Sequence, residues 1–311
     1  MKKLLSLLLF TGMCTGIYAS SEWHGYVGFG GEFEQGVPHK VGDSGYGELN
    51  PMLEFSTWNG KGFSLFGKVL NTIKTDKNLN RTGSEGHQIE LWPTYTKQIT
   101  NKFGTWIATP IKMEKYSDDK FGMKQSGYFS LGIAPGISYQ ITEKVSIWAK
   151  TYYKYDVKTY SGVDKENYLE SEFAISYKFN DKYKINVGSL YKKYEDKYAW
   201  WNNSRQEANI TNTDELLAKT SLEINMPEYQ FRLVPYLEIG GYYNNTEYFN
   251  GNKSVWDERD SYKIGLTYDK QLTQSWKLLG EIYWRKHFVD TEETQFDKET
   301  YYAKVILAYT F

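Results

Sequence analysis

Hydrophobic and polar residues alternate along most of this chain, so that every second side chain falls on the same face of an extended backbone. Phe129, Leu131 and Ile133 share one face, for example, whereas Ser130 and Gly132 share the other. A helix with 3.6 residues per turn does not reproduce this spacing. Because the alternation recurs about fourteen times, the sequence predicts an all-β chain.

The connections between the predicted strands alternate in length. We predict strands at residues 23–33, 46–58, 63–74, 87–99, 105–116, 129–141, 145–157, 168–179, 183–194, 214–226, 229–243, 261–269, 276–288 and 301–311. Short turns are predicted at 59–62, 100–104, 142–144, 180–182, 227–228 and 270–275, and long polar loops at 34–45, 75–86, 117–127, 159–167, 195–213, 245–260 and 289–299. This alternation predicts a transmembrane antiparallel up-and-down β-barrel of about 14 strands, with short periplasmic turns and longer extracellular loops.

Aromatic residues mark both ends of the apolar face. Near the short turns this face carries Tyr95, Tyr139, Phe179, Tyr183, Tyr229, Tyr268, Trp276, Tyr309 and Phe311. Near the long loops it carries Phe33, Phe129, Tyr155, Tyr191, Tyr243, Tyr262, Trp284 and Tyr301. Aromatic side chains at two levels are typical of a barrel that crosses a hydrocarbon layer about 25 Å thick. Ordinary core aromatics are the alternative, but they do not explain the two levels.

Two features disturb the pattern. Five prolines fall inside predicted strands, and we expect each to mark a bulge or a gap in backbone pairing: Pro51, Pro93, Pro110, Pro135 and Pro235. The register is left open in 46–58, where Met52 and Trp58 fall on the polar face, and in 105–116, where both faces are mixed.

The first residues resemble an export signal. Lys2 and Lys3 precede an apolar stretch, 4–16, and Ala19 ends a plausible cleavage site. We therefore predict a cleaved signal peptide at 1–19 and a single barrel domain at 20–311. A lipoprotein anchored through Cys14 is disfavoured, since bulky Met13 precedes the cysteine.

Composition excludes several classes of protein. A mean hydropathy of −0.62 does not fit a helical membrane protein, and 17% aromatic residues do not fit a disordered chain. The formal net charge of −1 gives no basic surface for nucleic acid. One cysteine and four histidines offer little support for a metal site, so we expect no cofactor.

The terminal Tyr309, Thr310 and Phe311, after a run of alternating apolar residues, resemble the C-terminal signal of bacterial outer-membrane β-barrels. The layout of the mature chain resembles Gram-negative porins. Segments 177–183 and 234–238 are similar to oligosaccharide-specific and fusobacterial porins, with the subfamily left open. The resemblance implies passive diffusion of small hydrophilic solutes, with no catalysis. It implies recognition of Tyr309 and Phe311 by the barrel-assembly machinery, and contact with outer-membrane lipid and lipopolysaccharide. A homo-oligomer is among the assemblies left open.

If the apolar face meets lipid, the polar face lines a pore. The predicted pore-lining residues are Glu32, Glu48, Glu54, Lys68, Glu90, Lys150, Lys154, Lys184, Lys192, Lys219, Arg232, Glu238, Glu281 and Arg285. The early strands are mainly acidic here, whereas strands seven to nine add Lys158 and Lys178 to the lysines, with Asp156, Glu170 and Glu172. We hypothesise an acidic wall facing a basic wall, with a transverse field that favours small dipolar solutes. Scattered charges that simply hydrate the lumen are the alternative.

Inward aromatic residues offer stacking surfaces for sugars or, alternatively, simple packing: Tyr26, Trp148, Tyr152, Tyr194, Tyr236, Tyr242 and Tyr283. Two rival functions remain. An enzyme needs a histidine beside a nucleophile or acid, and His24, His39, His87 and His287 stand in no recognisable motif. An adhesin or binding barrel would act through its loops, foremost 195–213 with Trp200, Trp201 and Arg205.

Overall fold

Antiparallel strands form most of the computed structural model, which describes residues 23–38, 46–74, 85–117, 126–159, 165–202, 205–248, 253–289 and 297–311. The strands are β1 His24–Pro38, β2 Tyr46–Trp58, β3 Phe63–Lys74, β4 Glu85–Gln98, β5 Phe103–Ala108, β6 Ile111–Ser117, β7 Ser126–Gln140, β8 Val145–Thr159, β9 Lys165–Lys178, β10 Tyr183–Asn202, β11 Arg205–Met226, β12 Phe231–Tyr248, β13 Lys253–Gln271, β14 Trp276–Val289 and β15 Asp297–Thr310. These bounds reproduce the predicted elements closely, apart from the differences described below.

The strands form one closed barrel. Apart from β5 and β6, each strand pairs with its neighbours in sequence, and β15 pairs with β1. Strands β5 and β6 lie end to end between β4 and β7, so that fifteen strands occupy fourteen positions around the wall. The fold is the all-β, antiparallel, up-and-down barrel of about fourteen strands that the alternation predicted.

The two ends of the chain complete the wall. The register of β1 on β15 runs without interruption from Tyr26, opposite Thr310, to Val37. Beyond the strand ends, the Phe311 amide donates to the Gly25 carbonyl at 3.0 Å, and the Gly25 amide donates to the Phe311 carbonyl at 3.1 Å. Closure therefore extends to the last residue.

One predicted strand is broken. The predicted strand at 105–116 is divided at the expected gap, since β5 ends at Ala108 and β6 begins at Ile111, on either side of Pro110. Pro110 has no amide hydrogen for the ladder, but its carbonyl accepts from Gly132 at 2.8 Å. Opposite the break, the Pro93 carbonyl accepts from Thr109 at 3.0 Å. The wall thus keeps part of its hydrogen bonding across the interruption.

The other strand prolines also coincide with gaps in pairing, as predicted. Pairing of β2 with β3 skips Pro51, pairing of β7 with β8 skips Pro135, and pairing of β11 with β12 skips Pro235. Each of these prolines keeps a pairing with the strand on its other side, so each gap is one-sided.

Two predicted loops are instead the outer parts of long hairpins. Residues 195–213 belong almost entirely to β10 and β11, which pair as far as Asn202 opposite Arg205. The predicted loop 245–260 likewise becomes the end of β12, at Tyr248, and the start of β13. Where a hairpin extends beyond the barrel wall, both of its faces meet water, so backbone pairing continues without the apolar alternation that identified the strands.

The outer face of the barrel is apolar and exposed. Aliphatic side chains project from the middle of the strands, among them Ile133, Ile175, Val187, Ile264, Ile282 and Val305. Exposed aromatics lie nearer the strand ends, including Tyr95, Tyr139 and Trp276 towards the short turns and Phe33, Tyr155, Tyr243 and Tyr301 towards the long connections. This order, aromatic, aliphatic, aromatic, is that of a lipid-facing barrel surface.

The short connection between β11 and β12 contains a single turn of 3-10 helix, Pro227–Tyr229, followed by Gln230 in the left-handed region at φ 49°. Within the described residues, none of the helical structure is long and apolar enough for a membrane span.

Candidate functional site in the barrel interior

Contacts that skip a strand identify the inner face of the barrel. Lys304 of β15 donates to Glu54 of β2 at 2.7 Å, reaching across β1. Lys219 of β11 donates to Glu172 of β9 at 3.0 Å, reaching across β10. Side chains two strands apart converge on the concave side of a closed sheet. The face that carries these residues is therefore the interior.

By register, every residue predicted to line the pore lies on this inner face: Glu32, Glu48, Glu54, Lys68, Glu90, Lys150, Lys154, Lys184, Lys192, Lys219, Arg232, Glu238, Glu281 and Arg285. Their part in solute passage stays a prediction.

A chain of ion pairs runs along the inner wall from β8 to β13. Glu172 lies between Lys150, at 3.0 Å, and Lys219, also at 3.0 Å. Glu238 continues the chain, 3.7 Å from Lys219 and 2.7 Å from Lys263. Cations and anions alternate along this row of ion pairs, so the field of each charge is largely offset by its neighbours.

Local pairing also occurs on both sides of the hypothesised transverse field. On the basic side, Lys192 contacts Glu215 at 2.9 Å. On the acidic side, Glu90 contacts Lys68 at 3.3 Å, and Glu54 contacts Lys304. Each of these charges has a counter-ion beside it, and the field across the lumen stays a prediction.

Other members of the two supposed walls are also paired. Lys184 contacts Glu223 at 3.6 Å, and Glu170 contacts Lys150 at 3.5 Å. Lys178 donates to Asp181 in the following turn at 2.6 Å, and this hydrogen bond lowers the pKa of the Asp181 carboxyl. The side chain of Lys158 lies outside the described residues.

Tyrosines hold carboxylates on the β14–β15–β1 side of the interior. The Tyr302 hydroxyl donates to Glu32, and the Tyr283 hydroxyl donates to Glu34 at 3.2 Å. The two rings stack with centroids 4.6 Å apart and planes 13° apart. A phenol satisfies a carboxylate oxygen without neutralising its charge.

A third pair extends this cluster. The Tyr236 hydroxyl donates to Glu281 at 2.5 Å, and the Lys263 ammonium lies 5.2 Å from the Tyr236 ring and 4.9 Å from the Tyr283 ring. Within the described chain, Glu281 has no lysine or arginine nitrogen at ion-pair distance, because Lys263 contacts Glu238 instead. We call Glu32, Glu34, Glu281 and their three tyrosines the tyrosine–carboxylate cluster.

Apolar side chains form a buried layer inside the barrel, which we call the apolar shelf. It consists of Met52, Leu70, Ile306 and Ala308, with Tyr26 and Leu279 packed against it. Ile306 and Ala308 are fully buried. Gly28 makes the approach of Ile306 possible, since a Cβ at Gly28 would lie 2.5 Å from the Ile306 Cγ2 atom.

Polar groups connect to the shelf through Tyr26, which packs against it. Buried Glu54 accepts from the Tyr26 hydroxyl at 2.6 Å and from Lys304 at 2.7 Å. The Lys277 ammonium lies 4.0 Å from the centre of the Tyr26 ring. Apolar and charged side chains are thus adjacent on this part of the inner face.

Sequence reasoning missed this shelf. Among its residues, the sequence pattern marked only Met52, on the polar face of its strand. The available signal was one apolar residue at an inner position in each of several strands. These residues can be recognised as one cluster only when β15 is known to lie between β14 and β1.

The inward aromatic residues are engaged in packing and hydrogen bonds. Tyr152 contacts Trp92 with centroids 5.0 Å apart and Tyr168 with centroids 5.6 Å apart. The sequence analysis had not identified Trp92, Tyr168 or Tyr302. Trp148 lies on the inner face by register, and the side chains of Tyr194 and Tyr242 lie outside the described residues.

The histidines are dispersed through the described chain. His87 lies 2.6 Å from the Asn71 side chain, and the His24 ring lies 6.3 Å from the Trp58 ring. His39 lies outside the described residues. Among the described residues no group of histidine, cysteine and acidic side chains is placed to hold a metal ion.

Comparison with known proteins gives structural likeness without sequence likeness. No family model matches the chain, and no curated protein matches it. A solved TodX deltaS2 mutant, described as a monoaromatic hydrocarbon channel, is similar with a TM-score of 0.51 at 8% identity, over 94% of this chain and 91% of that chain.

Two further structures are less similar. The toluene transporter TodX from Pseudomonas putida has a TM-score of 0.48 at 8% identity, over 95% of this chain and 91% of its own. The porin NanC has a TM-score of 0.40 at 9% identity, over 92% of this chain and 100% of its own. At these identities the likeness shows the barrel fold alone.

Proposed function

We propose that this protein is an outer-membrane channel through which small hydrophilic solutes diffuse passively. The observation that carries the proposal is the inversion of the barrel. Its exposed outer face is aliphatic between two aromatic levels, whereas its enclosed face carries ion pairs and carboxylates. A protein in water would expose the charges and enclose the apolar side chains. The inversion therefore fits a barrel in lipid with an aqueous interior.

Barrel closure supports the membrane location. Every backbone amide and carbonyl in hydrocarbon must be paired within the protein, and a closed sheet has no free edge. The terminal strand ends with Tyr309 and Phe311 at the closing contact with β1. We infer that the N-terminal 19 residues direct export and are removed, and that the barrel-assembly machinery reads the last strand.

The inner surface favours hydrophilic over apolar solutes. Charged side chains lie on the inner face of most strands, whereas the residues of the apolar shelf are buried. A hydrocarbon would displace water from these charged groups and could not replace the hydrogen bonds that the water made. Sugars and other small polar solutes can form such hydrogen bonds themselves.

The test is electrical. Residues 20–311, refolded in detergent and added to a planar bilayer, should produce stepwise ionic currents in KCl. Proteoliposomes should also swell in isotonic solutions of small sugars, at rates that fall with sugar size. Protein that is folded by circular dichroism, inserts into liposomes and carries no current would overturn the proposal.

A binding role is the second candidate, favoured by the length of the β10–β11 hairpin. Pairing in this hairpin continues to Asn202 opposite Arg205. In the neighbouring hairpin, β8 ends at Thr159 and β9 begins at Lys165, so the β10–β11 hairpin is the longer one. Shortening it by removing 198–209 should leave conductance intact, since no barrel-wall strand is lost. If binding to cells or surfaces falls while current persists, the hairpin acts as a binding element.

A further inference from the structure

We propose that solutes pass along the wall formed by β8 to β12 and that the channel prefers small anions, carboxylates in particular. This inference rests on the channel function proposed above. It names the charge of the solute and the side chains that select it.

The ion pairs on this wall are asymmetric in exposure. Side chains of Lys150 and Lys219 are 35% and 36% exposed, whereas their partners Glu172 and Glu238 are 9% and 7% exposed. The ammonium groups therefore stand towards the lumen, and the carboxylates lie behind them against the wall.

The same order holds nearer the short turns. Lys184 and Arg232, 38% and 51% exposed, both contact Glu223, which is 18% exposed. We call Lys150, Lys184, Lys219 and Arg232 the cationic strip. Its members come from β8, β10, β11 and β12 and follow one side of the lumen.

Exposure matters because Coulomb energies fall with distance. A solute anion can touch an ammonium of the strip, but the paired carboxylate is kept farther away by the lysine in front of it. The ammonium therefore attracts the anion at a shorter distance than the carboxylate repels it, although each ion pair is nearly neutral overall. A solute cation meets the repelling ammonium first and the attracting carboxylate at a greater distance.

The opposite side of the lumen directs solutes towards the strip. There the apolar shelf and the Glu54–Lys304 pair occupy space beside β15, β1 and β2. Glu32 of β1 lies on the same side and accepts a hydrogen bond from the Tyr302 phenol. This carboxylate repels an anion from that side, so the potential and the occupied space both favour the cationic strip.

Reversal potentials in a KCl gradient test the inference. We expect chloride to be favoured over potassium by about threefold in the unmodified protein. Lys150→Gln with Lys219→Gln should bring the ratio close to one. That change strips Glu172 of both partners. Lys184→Gln with Arg232→Gln gives a second variant, which strips Glu223 instead, a carboxylate that is 18% exposed against 9% for Glu172. Lys102→Gln, in a short turn, is the matched control and should leave the ratio unchanged.

A matched pair of solutes tests the substrate class. Galacturonate should reduce the chloride current at concentrations where galactose does not, and both double variants should lose this block. Absence of current would contradict the channel function itself. A current that favours potassium, or equal block by the two sugars, would leave the channel function standing and overturn the inference.

Discussion

At the scale of single residues, the stability of the interior depends on buried charges that have one or two polar partners. Glu54 is buried, and its oxygens accept from Tyr26 and Lys304. Removing one partner from a buried ion pair costs far more than replacing both, because a desolvated charge remains. The contribution of such a pair to stability is therefore seen only when each partner is changed separately and then together.

We expect Lys304→Met to lower the free energy of unfolding by about 3 kcal/mol or more, because Glu54 then keeps its charge without the ammonium. Urea unfolding of the refolded protein in detergent, followed by tryptophan fluorescence, measures this. Adding Glu54→Gln should recover most of the loss. Equal stability of the single and double variants would show that the Lys304 packing, and not the charge of Glu54, is what matters.

At the scale of strands, the meaning of each side chain depends on its face. Ile264 and Thr267 lie three residues apart on β13, and the first points to the exposed outer surface. Thr267 lies on the inner face, opposite Glu281 on β14. The same substitution should therefore change the stability of the barrel much more at Ile264 than at Thr267.

We expect Ile264→Arg to destabilise the membrane-inserted barrel by about 2–4 kcal/mol, since a guanidinium would enter hydrocarbon. Thr267→Arg, the matched control, places the same group in the lumen near the Glu281 carboxylate and should cost little. Folding yield into liposomes, judged by heat-modifiable migration on gels, separates the two. Equal yields would contradict the assignment of the outer face to lipid.

Strand interruptions illustrate how far local sequence reasoning reaches. The prolines predicted where backbone pairing between strands is interrupted, because the missing amide hydrogen is a property of the residue itself. The length of the β10–β11 hairpin was not foreseen. Its outer part is held by backbone hydrogen bonds, which every residue type except proline can both donate and accept, so no side-chain pattern marks it.

At the scale of the whole molecule, closure between β1 and β15 joins parts of the chain that are far apart in sequence. The last residue takes part through two backbone hydrogen bonds between Phe311 and Gly25. The strand end that we propose the assembly machinery reads thus also takes part in closure.

Deletion of Phe311 separates these two roles. Loss of two hydrogen bonds should cost about 1–3 kcal/mol in the refolded barrel. If the assembly machinery also reads this residue, the amount of folded protein in the outer membrane of cells should fall much further than the stability in detergent. Phe311→Tyr, which keeps the backbone and an aromatic ring, is the control. A parallel fall in both measurements would assign Phe311 to closure alone.

The sequence by itself determined most of the strands, their faces and the inner position of the charged residues. These are period-two properties, and each can be read within one strand and its two turns. It did not determine which charges meet, because Glu54 and Lys304 become neighbours only when the barrel closes. The apolar shelf and the tyrosine–carboxylate cluster arise in the same way, from side chains on several strands converging on the concave side of the wall. Curvature and closure are properties of the assembled sheet, so only the tertiary structure decided the shape and the charge of the lumen.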